Sequence, residues 1–454
     1  MTPLSEHIDL VLAQHASELD FESLSENTIE RTVTFIADTM SVGMAGSSVP
    51  EASLLTEALT QPASLDVTPV WGRRTSLPTC DAILLNAFQI HCQEYDCLHE
   101  GAVLHAMATL LPVLMAQCQH GAPVSGRELI AAAVAGIDIA CTLGLSSQRG
   151  LQFFRPATAG GFGAVAGLSR LRGYSPEQTL AAFGFQLAQA SGTMQSHIEG
   201  SPVLPLQAGF NARAAWQSCD LVKSGLTSLC HPLTGPFGFL PMFEQDFSVT
   251  PLLATLGQPH RIDEFSHKPY PAGRATHGGI EGLSRLMHEH QLHVDDIESV
   301  RISGPVLINR LVNRPPKQNP TANYARLCMP FVLAKVMQHG ELRPEHYSAQ
   351  ALCDPKTYEL SQKVQMQQNH ITDPNALMPQ SVSVHLTNGQ AFTVELTDAL
   401  ASATRPLTPT QCQTKFMQCC ALAKQPVAEP DKLFKTLREL PELDDVFQKL
   451  ASWL

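Results

Sequence analysis

Along the first 265 residues, apolar positions recur at helical spacing almost throughout. Residues 27–40 carry Ile29, Val33, Phe35 and Ile36 at mixed three- and four-residue steps, which predicts an amphipathic helix. Segments 84–90, 106–118 and 125–143 are apolar and alanine-rich, the composition of helices buried on several sides. Ser175-Pro176-Glu177 places a capping serine before a proline at the first helical position and predicts a helix through Ala190. Alanine density at 157–167 and 208–215 permits close contact between helices. The period changes after Arg261. Residues 298–302, 381–386 and 391–396 alternate in the manner of strands, and Asn388-Gly389 marks a hairpin between the last two. Helical patterns at 278–291 and 322–339 lie among them, and a Thr-Pro-Thr segment after Arg405-Pro406 opens further helix. The pattern predicts a mainly α chain with three parts: a large all-α domain over 1–265, a smaller α+β lid domain over 266–400, and C-terminal helices over 401–454 that return to the first domain.

Composition sharpens this picture in a few places. A chain of 454 residues exceeds one ordinary core, and 44% hydrophobic against 16% charged residues leaves ample surface to bury. The low charged fraction predicts that part of the surface is covered, most simply by a second copy of the chain. A net charge of -12 argues against a nucleic-acid partner, although a few converging cations can still hold a small anion. Residues 1–13 show no basic run before an apolar segment, so no secretory leader and a cytoplasmic location are expected. The apolar stretch 129–145 is interrupted by Asp138 and reads as a buried helix, with no membrane span. The 12 cysteines lack any Cys-x-x-Cys pair and read as small core residues. Gly160-Gly161-Phe162-Gly163 lacks a preceding strand and the spacing of a dinucleotide fingerprint, so helix packing accounts for it better.

Two clusters can carry chemistry. His91, Glu94, Asp96, His99, Glu100 and His105 fall between two apolar helices, dense enough to shift one another's pKa and supply an acid and a base. The competing reading is a charged helix connection facing water. No His-Glu-x-x-His register is present, so no metal is expected. The second cluster is the segment 267–277, where two prolines and a glycine fix an irregular backbone before a helix and Lys268, Arg274 and His277 project from it. Cations beside a helix N-terminus suit a carboxylate ligand; the competing reading is a rigid inter-domain turn with solvated cations.

At these residues the sequence resembles the MmgE/PrpD family over nearly its whole length. Lys268-Pro269-Tyr270-Pro271 with Arg274 and His277 is similar to the family's Lys-x-Tyr-Pro segment and following histidine. Asn86, His91, Glu94, Asp96 and His105 resemble its His-x-x-Asp-x-Asp stretch and later histidine. Later landmarks are the segment 231–239, Pro320-Thr321 with Ala325-Arg326, and Arg405-Pro406 with Lys415-Phe416. The resemblance implies a helical domain with a smaller lid, a homodimer, a site between the domains, and no organic cofactor. It also implies chemistry at the carbon beside a carboxylate of a small di- or tricarboxylic acid, as in 2-methylcitrate dehydratase, cis-aconitate decarboxylase and iminodisuccinate epimerase.

On this resemblance Glu94, Asp96 and His105 form the proton-transfer set, supported by His99 and His277, while Lys268, Arg274, Arg155, Glu100, Gln207 and Tyr270 bind the substrate. The sequence departs from the family pattern at several of its polar positions. Glu94 stands for an aspartate, Leu98 for a threonine, Arg155 for a histidine, Leu204 for a lysine and Phe331 for a tyrosine. A lyase is the first expectation, an epimerase or other isomerase of an amino- or imino-dicarboxylate the second, and a non-catalytic acid- or partner-binding protein the third.

Overall fold

A computed structural model describes residues 8–60 and 66–454. The first seven residues, on which the expectation of no leader partly rests, lie outside the described residues. The chain is mainly α with a smaller α+β portion. The amphipathic segment predicted at 27–40 extends over Glu26–Gly46, because Ser25 caps its start and small residues continue its buried face. The helix Gly126–Leu145 is long and apolar enough to cross a membrane, yet it is buried in the helical body and opens with a capping box between Ser125 and Glu128. Ser175 forms the same device with Gln178, and its helix, Pro176–Leu187, ends three residues before the predicted Ala190.

Close helix contact is built from glycine. A β-carbon on Gly163 would stand 2.5 Å from the carbonyl oxygen of Gly136, and one on Gly136 would stand 2.6 Å from that of Gly163. Helices Gly126–Leu145 and Arg155–Leu171 therefore cross with their backbones nearly touching, which is the packing role expected of the glycine-rich stretch. The main hydrophobic cluster draws on these helices together with Phe416, Leu433 and Leu437 from the C-terminal helices. Helix Pro409–Leu422, capped by Thr408, packs on Glu26–Gly46.

The second hydrophobic cluster spans Ala272 to Leu396 and takes in Leu151, Phe154, Met194 and Leu204 from the preceding helices. Its sheet runs in the order Val364–Gln368, Ile297–Gly304, Gln380–Leu386, Ala391–Leu396, with the first pair parallel and the others antiparallel. Three strands match the alternation in the sequence, and Gly389 turns the hairpin at φ 87°. The fourth, Val364–Gln368, was not predicted, since three of its five residues are glutamines and its surface is mostly exposed. The helix predicted over 322–339 is broken into Ala322–Arg326 and Met329–His339, because Pro330 cannot continue a helix but suits the first turn of a new one.

The region predicted as all-α also holds two short strand pairs, Val67–Pro69 with Ser76–Pro78 and Leu98–His99 with Phe265–Ser266. The second pair is too short for alternation to reveal, and it positions the candidate site. Gly163→Ala is expected to lower stability by about 1–3 kcal/mol through overpacking at the helix crossing, measured by urea unfolding. An unchanged midpoint would contradict the backbone contact.

Candidate active site

Helix Thr79–His91 ends on a histidine, His105 caps the start of helix Ala106–His120, and the residues between them fold inward. Asp96 is 0% exposed, His91 2% and Glu94 8%, so the solvent-facing reading of this connection is overturned. The chain achieves the fold at a cost, since Glu94 and Val103 take left-handed backbone angles of φ 52° and 50°. Pairing of Leu98 with Ser266 and of His99 with Phe265 then lays the segment leading to Lys268 alongside.

The result is a buried ionic group. Lys268 Nζ donates to Glu94 Oε2 at 2.7 Å and lies 3.8 Å from Asp96 Oδ1. His91 Nδ1 is 3.0 Å from Asp96 Oδ2, and His105 Nδ1 is 3.1 Å from the same oxygen without the alignment of a hydrogen bond. The two imidazoles meet edge to face at 4.7 Å between centroids, and His91 Nε2 lies 3.5 Å from Glu94 Oε1. Asp96 thus stands between two histidines, with Lys268 closing the far side.

Charge follows from this geometry. Burial pushes Glu94 up, but the Lys268 ammonium and the imidazoles of His91 and His105 outweigh it and bring its carboxyl down to about 2. Burial likewise opposes ionisation of Asp96, and His105, His91 and Lys268 together hold its carboxyl well below the usual range. The histidines diverge. For His91 the carboxylates of Asp96 and Glu94 outweigh burial and raise its pKa, whereas for His105 burial dominates and lowers it. One ring is thereby biased towards the cation and its neighbour towards the free base, both beside Asp96.

These groups face a cavity with about 580 Å³ of empty space counted out to its mouth. Of the residues expected from sequence, Glu94, His105, Arg155 and Arg274 line it. Arg155 is 1% exposed and pairs with Glu244 at 3.3 Å, its Nη1 donating to the Ala102 carbonyl. Arg274 pairs with Glu100 at 2.7 Å, and Glu100 also accepts from Ser266 Oγ. His91 lines the cavity too, as does His197, which no sequence motif singles out. Burial and the neighbouring Arg314 bring His197 down to about 3.

Other expected residues stand elsewhere. Lys268 does not project for a ligand: it is 0% exposed and engaged by Glu94 and Asp96, so it positions them. Asp96 stands behind His91 and His105. His99 bonds Glu264 at 2.9 Å, Gln207 is held by Thr193 and Ser196, and Tyr270 packs edge to face on His277. None of these three lines the cavity. His277 accepts from Arg274 Nη1 and bonds the Ala272 carbonyl, and burial with Arg274 and Lys268 keeps it neutral.

Among the described residues, two groups offer three ligand atoms within 4.8 Å of one another: His91, Asp96 and His105, and His15, Asp138 and His260. In the first, the Lys268 ammonium competes for the same carboxylate. In the second, Asp138 Oδ2 stands 2.9 Å from His15 Nε2 and 2.7 Å from His260 Nδ1. Both distances are shorter than the roughly 3.3 Å that two ligands of a tetrahedral zinc ion keep. They are hydrogen-bond distances.

A helical body, a smaller α+β portion and a buried acid–base group facing a cavity define an enzyme-like fold of two sequence domains. The MmgE/PrpD N-terminal domain matches residues 11–252 and the MmgE/PrpD C-terminal domain matches residues 270–437, so the chain belongs to the MmgE/PrpD family. It is 25% identical over 378 residues to the cis-aconitate decarboxylase-like protein oryM of Aspergillus oryzae, covering 78% of each chain. It is 23% identical over 442 residues to the cis-aconitate decarboxylase of Homo sapiens, covering 93% of this chain and 89% of the relative. At the level of the family these relatives support an enzyme of the lyase type.

Because Glu94 and Asp96 are more acidic in the folded chain than when unfolded, their stabilising effect is complete above about pH 4.5 and is lost as pH falls towards 2. Glu94→Gln should show lower stability at neutral pH and a shallower decline across that window in thermal unfolding. A decline as steep as that of the unsubstituted chain would contradict an ionised Glu94.

Proposed function

We propose that this chain is a lyase that removes a proton from the carbon beside a carboxylate of a small di- or tricarboxylic acid, without an organic cofactor or metal. The observation that carries the reading is the pair of imidazoles whose pKa values are pushed apart by one buried carboxylate. Such divergence assigns an acid and a base. His105, neutral and on the cavity wall, takes the substrate proton, and Asp96 stabilises the imidazolium that forms. His91, biased towards its cation and also on the wall, gives a proton to the departing hydroxyl, which leaves as water. Glu94 stays ionised and raises the basicity of both rings, and Lys268 holds Glu94 and Asp96 in place. Arg155 and Arg274, which line the cavity with their charge balanced by Glu244 and Glu100, orient the acid.

A second reading, an isomerase, is favoured by the apolar residues at Leu204 and Phe331, both nearly buried, where the family pattern has a lysine and a tyrosine. It uses the same first step and differs in where the second proton goes. We also propose a cytoplasmic homodimer. The stretch 198–242 exposes Ile198, Phe210, Leu226, Leu229 and Phe237, the last at 82%, an apolar surface that suits a second copy.

His105→Gln should reduce kcat by about 10²–10⁴-fold with little change in unfolding temperature. A fall in activity that tracks loss of structure would mark His105 as a packing residue. The direct test of the reaction is proton NMR of di- and tricarboxylic acids incubated with the chain in deuterated water. A new alkene signal is the expected outcome. Deuterium entering beside a carboxylate with no net conversion would instead assign the isomerase, and silence with every acid would overturn proton abstraction.

A further inference from the structure

The cavity wall is far more apolar than a site for a small polyacid requires. Apart from His91, Glu94, His105, Arg155, His197 and Arg274, every lining residue is apolar or glycine. Leu98, Val103, Leu151, Phe154, Leu204 and Leu311 give the broadest surfaces.

The charge available to a ligand is correspondingly small. Arg155 is neutralised by Glu244, Arg274 by Glu100, and Lys268 by Glu94 and Asp96. Two buried guanidiniums that stand behind the lining residues, outside the wall itself, have no carboxylate partner among the described residues. Arg314 bonds the carbonyl and Nδ1 of His197, and its Nη1 is buried without an acceptor. Arg326 donates to the Cys92 carbonyl, and its own carbonyl accepts from Gly273 on the wall. Two uncompensated cations balance two carboxylates. A third carboxylate would have to lie against leucine and valine side chains, where an unpaired charge is strongly disfavoured.

We infer that the acid taken by this cavity has two carboxylates and an apolar arm several carbons long, the arm lying on the wall built from Leu98, Val103, Leu151, Leu204 and Leu311. The inference deepens the function proposed above and rests on it, since the acid bound here is the one deprotonated. It assigns Arg314 and Arg326 to the compensation of charge and the leucines to selection by length. A small polyacid without the arm would leave the apolar wall unfilled.

The test is calorimetric binding of 2-methyl-, 2-propyl- and 2-pentylsuccinate to the purified full chain, with deuterium exchange at the substituted carbon followed on the same compounds. Burial of each added methylene should tighten binding about fourfold. Leu204→Asn should remove most of the gain per methylene while the unsubstituted chain keeps it, so the length series stands even where the variant folds poorly. Affinity that is flat or falls with arm length would overturn the inference. So would exchange or conversion of unbranched di- or tricarboxylic acids with equal or better kcat/KM, a result that leaves proton abstraction itself standing. Binding that tightens with length but brings no deuterium into the acid would keep the ligand class and overturn proton abstraction.

Discussion

The ionic group formed by Lys268, Glu94 and Asp96 has almost no contact with water, and three charges in that position are tolerable only when each meets another. Removing the lysine alone would leave two carboxylates buried beside each other, the kind of change that costs about 3–5 kcal/mol. Much of the local architecture serves to keep the three together. The left-handed angle at Glu94 turns its side chain inward, the short pairing of Leu98–His99 with Phe265–Ser266 fixes the height of Lys268, and helix ends on either side deliver His91 and His105 to Asp96. Once the carboxylates are ionised, the histidines can no longer be equivalent.

That asymmetry links structure to chemistry. His91 makes two approaches to Asp96 and one to Glu94, so carboxylate charge dominates its titration. His105 has one poorly aligned contact with Asp96 and loses more by burial than it gains. Neither ring would behave this way alone in water. A base and an acid of the same residue type, held 4.7 Å apart on one wall, are what proton removal followed by proton return requires.

Much of this was legible in the sequence. Helical periodicity, the Ser125 and Ser175 caps and the Asn388-Gly389 turn located most elements, because each has a local physical cause. The acid–base cluster was legible as a density of titratable residues. What could not be read was direction. Nothing local says that the connection from His91 to His105 turns inward, that Lys268 is spent on Glu94, or that His99 meets Glu264, since these depend on a two-residue strand pair between segments far apart in the chain. His197 carries no motif and becomes visible only when distant helices bring it to the cavity, as do Glu244 behind Arg155 and Arg314 behind His197. The strand Val364–Gln368 escaped for the opposite reason: its partner, not its composition, makes it a strand.

The central claim is the opposed charge of two histidines on one carboxylate, and the measurement that tests it most directly is a pH titration of ¹⁵N-labelled histidine by NMR. Assignment would come from His91→Gln and His105→Gln. The account predicts that near pH 6.5, the ordinary imidazole value, the His91 ring carries the proton and the His105 ring is neutral. Two rings titrating together at that pH, or a protonated His105 beside a neutral His91, would contradict it.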